Sequence, residues 1–119
     1  MKEDKLTELS MKLSVDVIKL ANELKNKHET IVSNQLARSA TSVCANIAES
    51  KYGHSRADFI AKMEIALTET NETSKWLEIL FKTDYIDEKT LREIEKTCST
   101  IRILLIASCK TAKKNDKKV

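Results

Sequence analysis

A chain of 119 residues with no proline and a single glycine, Gly53, has almost nothing from which to build tight reversals. Sheets need such turns every few residues, and glycine, proline and asparagine supply them through special backbone conformations. What remains is a small number of long helices with short connections. Leu, Ile, Ala, Glu and Lys abound and 33% of residues are charged, which suits helices, while 4% aromatics leaves the core aliphatic. A chain of this length forms one domain with a core that needs neither disulfide nor metal.

Apolar periodicity divides the chain into four helices. The first begins near Asp4 or Thr7 and runs to about Lys27, with Leu6, Leu9, Leu13, Val17, Leu20 and Leu24 on one stripe that Met11, Val15 and Ile18 widen. After a connection at Asn26–Glu29, the second takes about Thr30 to Lys51. It ends at Tyr52–Gly53, where glycine offers the left-handed conformation that terminates helices. Ser55 caps the third, about Arg56 to Thr83, with Asp58 completing a capping box. Asp87 caps the fourth, about Glu88 to Lys113, with Ile86 and Leu91 placed as a hydrophobic staple. Short connections make an all-α, antiparallel up-down-up-down four-helix bundle over residues 1–113, followed by a basic, disordered tail at 114–119.

Two helices carry more apolar surface than one core requires. The third has a second patch, Ala61, Ile65, Trp76 and Ile79, and the fourth is apolar nearly all round from Ile101 to Ala107. That surplus predicts a homo-oligomer whose interface includes Ile65, Trp76, Ile79, Ile103 and Leu104. The second helix instead has a polar stripe: Gln35, Arg38, Ser42, Asn46 and Glu49 fall within an arc of roughly 80°. No lysine occurs between Lys27 and Lys51, and small hydroxyls and amides take its place. The stripe therefore reads either as a solvated face or as a hydrogen-bond network, with Arg38 or Asn46 meeting Glu49 or Glu72.

Chemistry is sparsely provided. His28 and His54 both fall in connections, with no metal-ligand spacing around them, and no glycine-rich loop is present to cradle a phosphate. No cofactor, metal or small-molecule substrate is implied, and the chain reads as a non-enzyme. Cys44, Cys98 and Cys109 include no CxxC pair and sit in apolar helical patterns, as reduced core thiols of a cytoplasmic protein. The N-terminus has no signal-peptide pattern and no membrane helix is expected.

Charge is uneven. Lys110 to Val119 holds five lysines and one aspartate, while Met1–Cys109 holds 16 basic and 17 acidic residues. Anionic partners are therefore sought at Arg38, Lys51, Arg56 and the tail residues Lys110, Lys113, Lys114, Lys117 and Lys118, with Lys62, Arg92 and Arg102 as weaker candidates. No helix carries a continuous basic stripe, so the expected engagement of structured RNA or DNA is weak.

The run Gln35–Arg38 followed by Ala45-Asn46-Ile47-Ala48-Glu49, then Ser55, Asp58-Phe59, Ile65-Ala66-Leu67, Glu72-Thr73 and Trp76-Leu77, resembles the 23S rRNA-intervening sequence protein family. The likeness extends over about Leu9 to Cys109, with Ser50 standing where a glycine often follows the ANIAE-like stretch. It implies an up-down bundle assembled as a homopentameric ring. It also implies kinship with the basic accessory rings of diversity-generating retroelements, which bind a reverse transcriptase and nucleic acid. Two readings follow: a ring that contacts nucleic acid itself, or a protein-interaction scaffold whose partner does so.

Overall fold

The computed structural model describes residues 4–117, with side chains described from 4 to 115. Four helices follow in order: α1 Lys5–Asn26, α2 Ile31–Ser50, α3 Arg56–Lys82 and α4 Glu88–Lys117. Each packs on two neighbours, α1 on α2, α2 on α3, α3 on α4 and α4 on α1, with no packing across either diagonal among the described residues. The bundle is 53 Å long and 26 by 21 Å across. α4 runs on to Lys117, past the expected end at Lys113, so the first lysines of the tail project from a helix.

The starts of the helices are set locally. Asp4 Oδ1 accepts from the Thr7 N–H at 2.8 Å, Ser55 Oγ from Asp58 N–H at 3.1 Å, and Asp87 Oδ1 from Thr90 N–H at 2.8 Å. α2 starts differently. Thr30 makes no side-chain cap; instead the buried Glu29 carboxylate receives the N–H groups of Val32 and Ser33 at 3.2 and 2.7 Å. It satisfies two orphan donors and places negative charge at the positive helix end.

The ends depart from expectation. Gly53 has no positive φ; the left-handed residues are His28 (φ 66°) and Asp84 (φ 64°). Each terminates a helix by the same pattern, with Glu29 N–H donating to Leu24 C=O and Tyr85 N–H to Leu80 C=O, both at 2.9 Å. The space at Gly53 is tight: a Cβ there would sit 3.3 Å from Asp58 Cβ and 3.4 Å from Phe59 N, so a larger residue requires the start of α3 to give by a few tenths of an ångström. Non-glycine residues in the left-handed region carry a cost of about 1–2 kcal/mol. His28→Gly is therefore expected to raise stability by about 1 kcal/mol, net of the glycine entropy of the unfolded chain, in a thermal or urea melt.

The core is aliphatic. Leu13, Val17, Leu36, Val43, Ile47, Leu77, Leu80, Ile101 and Leu105 are each at most 1% exposed, one set from each helix. Small residues draw α1 and α2 together, with Ser14 Oγ donating to the Ala40 carbonyl across the interface at 3.3 Å. Thr70 and Thr73, which interrupt the apolar arc of α3, are fully buried. Thr70 bonds the Ala66 carbonyl, and Thr73 shares a 2.8 Å hydrogen bond with Ser39 of α2. Met11, Val15 and Ile18 do not widen the core stripe of α1 but lie at the surface, 54%, 44% and 41% exposed. On a wheel they point away from Leu13 and Leu20, which leaves an apolar strip on the outside of α1.

Candidate functional site

The polar stripe of α2 becomes a bridge to α3. Arg38 donates through Nε to Gln35 at 3.0 Å, through Nη1 to Glu69 at 3.1 Å, and through Nη2 to Glu72. Gln35, Arg38 and Glu72 thus join, with Glu69 as a member that the sequence did not single out. Ser42 and Asn46 form a separate pair, Asn46 Nδ2 donating to the Ser42 carbonyl at 2.8 Å and its hydroxyl at 3.1 Å. Glu49 pairs instead with Lys62 of α3 at 3.0 Å. The stripe is a seam of short bridges between two helices, and its one arginine is engaged by carboxylates.

A second polar cluster joins α3 to α4. Arg102 donates to Asn71 Oδ1 at 2.7 Å and to Ser74 Oγ at 2.8 Å, while Ser74 donates to Glu95 at 2.8 Å. Sequence spacing could not reveal this, because Asn71, Ser74, Glu95 and Arg102 meet only once the helices are antiparallel. Cys98 lies beneath it, fully buried. Burial, with the Glu95 carboxylate second, pushes its thiol up to about 12 from an ordinary 9.0. The stability tied to that proton is complete below pH 9.0 and is lost as pH climbs toward the folded value. Cys109 is also buried and Cys44 only half-buried, and all three are free thiols. Among the described residues no three His, Cys, Asp or Glu side chains are grouped so as to hold a metal. No described helix is long and apolar enough to cross a membrane.

The cationic candidates divide. Arg38 lies 13 positions before Lys51 on the same helix, about 20 Å along its axis, and is not brought to the others. Lys51 pairs with Asp4 at 2.7 Å, and this hydrogen bond, together with the Thr7 N–H, holds the Asp4 carboxyl below its ordinary value. Lys113 pairs with Glu64 at 3.2 Å. Arg56, Lys110 and Lys114, together with Lys5, are exposed and have no ion-pair partner among the described residues. All four lie at the end of the bundle where α1 starts and α4 finishes. The side chain of Lys117, and Lys118 entirely, fall outside what is described. The opposite half of the α3–α4 hairpin, Glu69 to Lys96, holds eight acidic and five basic residues. That half of the hairpin is therefore acidic, while Lys25 and Lys27, at the tip of the α1–α2 hairpin on the same end, are exposed and also without an ion-pair partner among the described residues.

The apolar candidates do not make one patch. Ile65, Trp76 and Ile79 share a flank of α3 with Glu69 and Glu72, which places them on its α2 side. Ile65 and Ile79 are exposed; Trp76 packs on the core edge with its indole N–H buried and unbonded. Ile103 is 67% exposed on α4, which packs on the other flank of α3. Leu104 is half-buried in a cleft beside Phe59.

A square antiparallel bundle whose helices are joined by buried hydroxyl bonds and by partly exposed ion pairs defines a small helical module of a single class. The chain belongs to the 23S rRNA-intervening sequence protein family, whose sequence model matches residues 2–107. It is similar to a protein of unknown function from the S23 ribosomal protein family of Bacteroides thetaiotaomicron, known from a crystal structure. The two share 40% identity over 88% of this chain and 98% of that one, with a TM-score of 0.87. Among curated proteins none matches the chain.

Proposed function

We propose that the protein is a non-enzymatic, homo-oligomeric bundle that engages nucleic-acid phosphates through its basic end. The observation that carries this reading is the convergence there of Lys5, Arg56, Lys110 and Lys114, none of them held by a carboxylate among the described residues. Arg38 and Lys51 are already neutralised, so they add little. A handful of cations on one subunit gives weak, salt-sensitive binding, and a ring multiplies it by bringing several such ends to one side. The triple variant Arg56→Gln/Lys110→Gln/Lys114→Gln changes exposed residues only. It is expected to reduce the slope of log affinity against log salt for a labelled RNA by about 2. An unchanged slope in the same titration refutes the role of this end.

Support for self-association comes from apolar strips on separate faces, Met11, Val15 and Ile18 on α1 and Ile65 and Ile79 on α3. Strips on different sides of one subunit suit head-to-tail contacts that close a ring, the pentamer that the family resemblance implies. Ile79→Glu, at an exposed position of the α3 strip, is expected to shift sedimentation toward monomer with helicity intact; an oligomer of unaltered size rules out that strip. The alternative, a scaffold that reaches nucleic acid only through a protein partner, is favoured by the acidic far half of the α3–α4 hairpin, where a basic protein could dock.

A further inference from the structure

At its basic end the bundle is incomplete. α1 starts at Lys5, beside Leu104 and Ser108 of α4, whereas α4 continues to Lys117. Over the last two turns of α4, its inner flank has no α1 beside it among the described residues. A cleft of about 620 Å³ opens there between α4 and the first turn of α3, and a smaller one of about 310 Å³ adjoins it, with Phe59, Leu104 and Ser108 lining both. The floor is apolar, formed by Phe59, Leu104, Ala107 and Ala112. The walls are polar and uncrowded: Arg56 on α3, Thr111 and Asn115 on α4.

We propose that this cleft takes an unpaired nucleobase, so that the nucleic acid held at the basic end is single-stranded where it is bound. The inference rests on the phosphate-binding reading of the same end and deepens it. A base is a flat apolar plate with hydrogen-bonding edges, and single-stranded sites meet it with an aromatic face and a few polar groups. Phe59 is the one aromatic side chain in the cleft and is only half-buried. Arg56 offers donors and a planar face, while the Asn115 amide offers both a donor and an acceptor for a base edge. Backbone phosphates on either side of the base would meet Lys5 in the adjoining cleft and Lys114, three residues beyond Thr111 on α4. An amphipathic peptide helix is a poorer fit, since four apolar side chains in a short cleft do not provide the repeated anchors that a helix needs.

The test compares a labelled single-stranded 12-mer RNA with the same sequence as a blunt duplex, each titrated with the intact protein across a salt series. The wild type is expected to bind the single strand about tenfold or more tighter than the duplex, the range of one base stacked on an aromatic ring. Phe59→Leu keeps an apolar floor and should abolish most of that preference with the salt slope unchanged. Ala107→Ile fills the cleft from an exposed position without altering charge or core, and it should do the same even if Phe59→Leu melts early. Equal affinity for both RNAs, unmoved by either variant but still falling with salt, overturns the base pocket and leaves phosphate binding standing. No binding to either RNA at low salt overturns both.

Discussion

Ile47→Asp is expected to abolish the fold. Ile47 is 1% exposed and lies on the core face of α2, in a cluster that draws residues from all four helices. The substitution removes an aliphatic side chain from a packed site and leaves either a buried charge or a carboxyl forced to stay protonated. Together these cost at least about 5 kcal/mol. That is comparable with the whole stability of a domain this size. Circular dichroism of the variant at 25 °C should show loss of most helical signal with no cooperative transition on heating. A wild-type melt would mean that this face of α2 is not the core.

The second large effect is a cavity, and it has an internal control. Leu77 is fully buried between α3 and the rest of the core, so Leu77→Ala should cost about 2–5 kcal/mol, the range for a leucine whose surroundings relax only in part. Leu104→Ala removes the same atoms from a half-buried position that borders an open cleft. Solvent already reaches that site, so the loss there should be well below that of Leu77→Ala in the same urea titration. Equal losses would place Leu104 in the core proper and close the cleft.

What could be read from the sequence follows the range over which each feature is decided. Asp4, Ser55 and Asp87 cap helices through partners three residues away, and the core stripe of each helix repeats within a few turns, so the bundle was legible from one chain. The cap at Glu29 was not, because a glutamate one residue before the usual position gives no distinctive pattern. Gly53 drew the expectation of a left-handed turn that His28 and Asp84 in fact supply. Its real constraint, contact with the first turn of α3, exists only after the chain folds back. Met11, Val15 and Ile18 were counted with the apolar stripe of α1 because they are apolar and close in sequence, although a helical wheel already sets them on the side opposite Leu13 and Leu20. The Arg38 bridge was half visible: Glu72 could be guessed, whereas Glu69 required the register of α2 against α3. The cleft at Phe59 escaped entirely, because it arises from a difference in length between two helices far apart in sequence.

Three of the four lateral seams are stitched by polar bonds between helices: Ser14 to Ala40, Ser39 to Thr73 with Arg38 to its two glutamates, and Arg102 to Asn71 and Ser74. The fourth, between α1 and α4, is where the packing is sparsest. It holds a cavity of about 650 Å³ rimmed by Lys12, Lys19, Glu23, Glu93 and Lys96. The chain is thus rolled like a scroll, with its first and last helices as the two free margins laid edge to edge. A scroll loosens at its margin. Amide hydrogen exchange along this seam should therefore outpace exchange along the other three.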